Sequence, residues 1–306
     1  MKPKFAVLAV VFSILTVLTG CEKLMVLDPK GPQAEIQAKD IMLSIWIMSG
    51  IVIVVFTMLA YMLIKYRASR QLPGYKPPRI EGSMQVEAIC VGIPVLLVIY
   101  LSIVSVQSNY KVESVPEGLK DEEPLVIYAA TSNWKWHFSY PKEEIETVNY
   151  LYIPVDRPIE FKLYSYGPIT SFWIPQLGGQ KYAMADMVNT LHLAADVPGE
   201  FMGRNANFNG KGFAENTFNV TAMSHEEFEN WTNEVKETAK PLTEEKFSEL
   251  LEPGHLGTST YTGTHLEFMP PPEGDNAGHN HGSSNMDSNT KEDHSHSEGI
   301  HDEHNS

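Results

Sequence analysis

The loop Asn205-Ala206-Asn207-Phe208-Asn209-Gly210-Lys211-Gly212 places three side-chain amides at alternate positions, with Phe213 and Asn216 close behind and Thr170 further upstream. Amide and hydroxyl oxygens are hard, weak ligands that do not replace thiolate for a soft copper ion. A thiolate-bridged copper pair or a blue-copper centre needs cysteine, and the two cysteines, Cys21 and Cys90, are remote in sequence. Taken alone, the segment reads as a polar loop of a β-domain, because Asn and Gly tolerate left-handed turn conformations. His137 and His192 have no Cys or carboxylate at ligand spacing and read as hydrogen-bonded strand residues. No Gly-x-Ser-x-Gly or His-Glu-x-x-His occurs. The chain by itself is therefore expected to hold no catalytic centre and no metal.

The elements around these residues read as a membrane-anchored α+β protein. Residues 1–20 pattern as a lipoprotein signal peptide: Lys2 and Lys4, an apolar run from Phe5 to Leu18, then Thr19-Gly20-Cys21. That ending fits a lipobox. It implies diacylglycerol (palmitate) on the Cys21 thiol, cleavage before Cys21 and a lipidated extracytoplasmic stretch over 21–40. Two acyl chains anchor stably where one is marginal. Residues 41–64 and 88–107 carry no charge and are long enough to cross the roughly 30 Å hydrocarbon core. Between them, 65–87 holds Lys65, Arg67, Arg70, Lys76 and Arg79 against Glu81 and Glu87, and its basic excess makes it cytoplasmic. The remainder then lies outside the membrane.

Short runs rich in β-branched and aromatic residues, bounded by Pro, Gly and Asp, predict a Greek-key β-barrel or sandwich over 124–223. Ser224 with Glu227 forms a capping-box pattern, and a short helical arm is predicted over 224–252. Residues 275–306 have almost no large apolar side chain and read as a disordered acidic tail. It contains His279, His281, His294, His296, His301 and His304, a composition able to chelate metal. The formal charge of −15 argues against nucleic-acid binding.

Several motifs give these elements a family resemblance. Thr170-Ser-Phe-Trp-Ile-Pro175 is followed by the Pro198-Gly199 turn and the Asn loop. This resembles the dinuclear-copper domain of subunit II of haem-copper oxidases, in which His precedes Ser-Phe-x-Ile-Pro and Cys-x-Glu-x-Cys-Gly-x-x-His-x-x-Met follows. Thr170 and Phe213 stand at the His positions, Asn205 and Asn209 at the Cys positions, Asn207 at the Glu and Asn216 at the Met. Phe172-Trp-Ile-Pro-Gln-Leu-Gly178 is similar to the quinol-oxidase branch, of aa(3) or bo(3) type. The resemblance implies a cupredoxin-like domain without copper. The implied complex oxidises quinol (menaquinol or ubiquinol), reduces dioxygen to water and translocates protons across a bacterial cell membrane. Haems and copper would reside in subunit I, with subunits III and IV, lipid and quinol as further partners.

Glu87-Ala-Ile-Cys-Val-Gly-Ile-Pro94 matches the family's Glu-x-x-Trp-Thr-x-x-Pro at Glu and Pro only. The resemblance makes Glu87 a proton-entrance candidate; a helix-dipole contact explains a carboxylate there equally. Trp134 and Trp136 correspond to an aromatic segment and are candidates for packing against subunit I. The alternative reading is a copper-handling or assembly lipoprotein of an oxidase that uses the His-rich tail.

Overall fold

The computed structural model describes residues 24–67, 74 and 82–273. The expectations about the signal peptide, Cys21, most of the charged loop, and the 275–306 tail with its six histidines lie outside the described residues.

Helix α1 spans Pro32–Lys65 and α2 spans Met84–Glu113. Both are longer than the uncharged runs 41–64 and 88–107. Pro32 stands at the first turn of α1, where a missing N–H costs nothing. Pro94 lies inside α2. The apolar 18-residue window of each helix has no buried residue. A core helix of a soluble domain would hide such a surface, so these side chains require an apolar medium or a partner.

The start of α1 is stitched into the β-domain. Lys30 N–H donates to Gln176 O at 2.7 Å, Ala34 N–H to Leu177 O at 3.2 Å, and Asp196 N–H to Lys30 O at 2.9 Å. Gly31 makes this approach possible: a Cβ there would lie 2.1 Å from Ala194 O. At the other end, Glu113 of α2 pairs with Lys181. Helix α1 thus leaves the β-domain and α2 returns to it.

The strands are β1 (Leu125–Ser132), β2 (Lys135–Tyr140), β3 (Ile145–Val148), β4 (Tyr150–Pro154), β5 (Ile159–Ser165), β6 (Thr170–Trp173), β7 (Lys181–Ala183), β8 (Asn189–Leu193), β9 (Gly199–Asn205), β10 (Thr217–Met223), β11 (Lys240–Pro241) and β12 (Ser259–Thr262). They form one sheet of order β11-β12-β3-β2-β1-β5-β8 and another of order β4-β10-β9-β6-β7. The chain passes repeatedly between the sheets, as a Greek-key cupredoxin-like domain requires. The pairs β1–β5 and β4–β10 are parallel and the other pairs are antiparallel, apart from the parallel β11–β12 edge. Buried residues alternate along β9 and β10, so one face of these strands enters the core. The core is aromatic: Trp136, Phe138, Phe161, Phe172 and Phe218 interlock, with Phe172 and Phe218 stacked at 5.1 Å.

Helix α3 spans His225–Thr238 and α4 spans Glu244–Leu251. Ser224 and Glu227 close both hydrogen bonds of a capping box. Phe228, Trp231 and Val235 lie on one stripe of α3, and Trp231 packs on Tyr140 and Tyr152 at 5.5 and 5.0 Å. The chain does not stop at a helical arm. It returns to pair β12 with β3 and builds a second core from Val148, Leu242, Phe247 and Leu250.

Candidate functional site

The Asn loop joins β9 to β10 at one end of the sandwich. Its hydrogen bonds fold it back on β6. Asn205 Oδ1 accepts from Ser171 N–H at 3.0 Å and from Asn207 N–H at 2.8 Å. Asn207 Nδ2 donates to Ile169 O at 3.2 Å, and Asn209 Nδ2 to Thr170 Oγ1 at 2.9 Å. Asn205 N–H donates to Asn216 O at 2.9 Å. Asn216 N–H in turn donates to Phe213 O at 3.2 Å, so all six positions singled out by their spacing take part in direct bonds. The Phe213 ring also lies 5.5 Å from that of Phe208, which is 77 % exposed at the tip.

Trp134 holds the loop from the side. Its φ of 69° is rare for a bulky residue. The indole Nε1 donates to Asn209 O at 3.4 Å, and the ring lies where a Cβ on Gly212 would be, 2.4 Å away. Gly210, at φ 119°, supplies the backbone conformation that L side chains rarely adopt. Trp136 does not sit beside it at the surface. It is 0 % exposed within the aromatic core, which corrects its assignment as a residue packing on a partner: the β1–β2 turn sends the two tryptophans to different places.

The donor set does not fit copper. Asn205 Oδ1 is engaged by two backbone N–H groups, Thr170 Oγ1 gives its proton to Pro168 O at 3.0 Å, and Phe213 has no donor atom. Among the described residues no cluster of three or more His, Cys, Asp or Glu is found. The chemistry left to these six positions is neutral hydrogen bonding.

A second polar cluster is buried under the returning chain. His265 Nδ1 meets Glu146 Oε1 at 2.8 Å, and its Nε2 meets the Tyr164 hydroxyl. Ser139 Oγ donates to Glu146 Oε2 and lies 3.0 Å from His265 Nδ1. The His265 ring stacks on Phe247 at 4.4 Å. Both His265 and Glu146 are 0 % exposed, so no substrate reaches them. Burial raises the Tyr164 hydroxyl pKa well above 10.0 and that of Tyr166 to about 12. Lys135, also buried, donates to Leu250 O at 2.8 Å and to Glu252 O at the end of α4, where the helix dipole favours a cation. Burial nevertheless lowers its pKa. Sequence reading did not single out Glu146, Ser139 or His265. The visible signal was Ser259-Thr-Tyr-Thr262, a β-type run between Gly257 and Gly263.

His137 on β2 bonds Ser132 Oγ at 2.8 Å through Nε2, and its Nδ1 has no partner. Burial, then the neighbouring His265 and Lys135, hold its pKa well below 6.5. The unfolded chain therefore binds a proton that the folded one refuses. Stability is full above pH 6.5 and declines as pH falls below it, by up to about 1.4 kcal/mol per pH unit. Urea midpoints of the full-length protein in detergent at pH 7.5 and 5.5 measure this, and His137→Gln should flatten the difference.

Glu87 lies in the first turn of α2, exposed, with its N–H bonded to Ser83 O at 3.0 Å. Cys90 is exposed one turn on. His192 on β8 is half-buried with its Nδ1 unpartnered, and burial lowers its pKa. An open groove of about 1340 Å³ between α3 and the β4-β10-β9 sheet is lined by Tyr152, Met202 and Trp231 and contains none of the loop asparagines.

No protein-family model matches the chain. Curated relatives do. It is 48% identical over 265 residues to quinol oxidase subunit 2 of Bacillus subtilis, covering 86% of this chain and 81% of that one. It is 46% identical over 260 residues to the protein of the same name from Bacillus cereus, covering 85% and 89%. A probable quinol oxidase subunit 2 of Staphylococcus saprophyticus is 44% identical over 269 residues, covering 88% and 70%. With the amide-lined loop and the two apolar helices already in place, identity at this level over most of both partners' length shows that the chain belongs to the quinol oxidase subunit 2 family.

Proposed function

We propose that the chain is the second subunit of a bacterial membrane complex that oxidises quinol, reduces dioxygen to water and moves protons outward. The carrying observation is the loop of Asn205, Asn207, Asn209 and Asn216 in a member of this family: it presents amides where a copper relay would need thiolates. Electrons from a soluble carrier then have no landing point in the outer domain. A lipid-soluble donor reaches haem at membrane depth without passing through it. Haems and copper belong to subunit I, which supplies from its membrane helices the histidines that α1 and α2 lack; subunits III and IV complete the complex.

The chain braces subunit I through α1 and α2, and the partly exposed Trp134 remains a contact candidate. Lipidation at Cys21 is supported by Leu18-Thr19-Gly20-Cys21, and a cytoplasmic 65–87 loop by its basic excess. Glu87, exposed at the start of α2, is proposed to feed protons toward the oxygen site.

The test is turnover of the purified complex. Oxygen uptake is expected with reduced quinol and to be absent with reduced cytochrome c, alongside haem bands and no near-infrared band of a copper pair. Rapid cytochrome c turnover, or two coppers bound by this chain, defeats the reading. In the same preparation, Glu87→Gln should slow quinol-driven oxygen uptake several-fold; unchanged uptake removes its proton role without touching the donor assignment.

A further inference from the structure

The end of the β9–β10 ladder carries more polar atoms than the protein can pair. The register sets Thr217 opposite Arg204, which puts Asn216 opposite Asn205 one residue further on. Opposed residues of antiparallel strands project to the same face. Here that face is the inner one, since Gly203, Asn205, Asn216 and Phe218 are all buried. The two amides therefore cap the layer formed by Trp136, Phe172 and Phe218. Asn209 joins them through Thr170, the neighbour of the Ser171 to which Asn205 is bonded.

Asn205 and Asn216 are 2 % and 1 % exposed. Even so, Asn205 Nδ2, Asn209 Oδ1 and both amide atoms of Asn216 have no protein partner. Buried polar atoms are overwhelmingly paired, so four orphans in one place require an explanation. Amide flips do not supply it. Asn205 Oδ1 accepts two backbone N–H groups, which an NH₂ cannot do, so Nδ2 is left over as a donor. The Thr170 hydroxyl spends its proton on Pro168 O, so Asn209 must present NH₂ to it and leave Oδ1 as an acceptor.

We propose that Asn205, Asn209 and Asn216 form a binding site for neutral, water-sized hydrogen-bonding molecules, filled by ordered water. The array combines a fixed donor with a fixed acceptor, and none of the side chains that build it is charged. A cation is repelled by Asn205 Nδ2 and an anion by Asn209 Oδ1. Water donates and accepts at once and satisfies buried sites with about three bonds each. Trp136 Nε1, another buried donor without a partner, belongs to the adjoining aromatic layer. The outer domain thus has a site of its own, with a ligand class opposite to that of a metal centre.

Two measurements decide it. A structure of the intact oxidase complex at water-resolving resolution should show rounded density within hydrogen-bond distance of Asn205 Nδ2, Asn209 Oδ1 and the Asn216 amide. Amides turned onto one another with no density between them overturn the proposal, as does density with metal coordination distances. The full-length protein in detergent should melt at the same temperature in EDTA as in K⁺, Ca²⁺ or Cu²⁺. A rise of several degrees with any of these ions, abolished by Asn216→Leu, assigns the site to a cation and overturns the proposal as well.

Discussion

Replacing Glu146 by alanine should cost the protein about 3–5 kcal/mol of folding stability, as expected when one member of a buried polar pair is removed. Glu146 holds His265 Nδ1 at 2.8 Å, accepts from Ser139 Oγ, and faces His265 N–H at 3.4 Å. All three lose their acceptor at once in a place without solvent. Each buried polar group left unpaired costs about 1–3 kcal/mol, so the estimate stands whichever proton arrangement the pair adopts. The damage should be local first. β12 pairs Tyr261 with Glu146 itself, so amide exchange in Ser259–Thr262 should accelerate before the rest of the sheet. Denaturation of the full-length protein in detergent, read with hydrogen exchange, checks both. A loss below 1 kcal/mol would mean that the returning chain is held by its apolar contacts alone. Glu146→Gln keeps one acceptor and should fall between.

Trp136→Ala should be comparably severe, about 3–5 kcal/mol, because a large buried ring is removed from a layer that cannot collapse. The ring lies 5.2 Å from Phe172, 5.6 Å from Phe218 and 6.3 Å from Phe138. The strands that carry those rings are fixed by two sheets, so the cavity persists. The measurement that separates this from a partner-facing role is the melting of the isolated subunit. A core residue lowers that midpoint with no other subunit present. An unchanged midpoint, with weakened assembly instead, would return Trp136 to the surface role its sequence neighbourhood suggested.

The different fates of Trp134 and Trp136 mark where sequence reading ran out. Alternation puts both on one side of a strand, and a single sequence cannot show that Trp134 adopts φ 69° in the turn and leaves the alternation. The uncharged runs were legible because nothing but length and apolarity is needed to recognise a spanning helix. The Ser224–Glu227 cap was legible because its partners are three residues apart. The loop amides were legible as a group because their spacing survives between Pro198-Gly199 and β10. Glu146 and His265 were not, since 119 residues separate them and neither carries a local pattern. Long-range pairing of lone polar residues is a product of topology, which periodicity does not encode.

The splice between Gly31 and Ala194 has a mechanical consequence. A β-domain hung only from the 114–124 segment would swivel, and its distance from the bilayer would follow that segment's length. Here a membrane helix is also keyed by backbone hydrogen bonds into the same domain, so the head has two attachment points rather than one. Two supports fix height and azimuth together. Small insertions in the 114–124 connector should therefore leave the head's pose unchanged, whereas a single added methyl at residue 31 would unseat it.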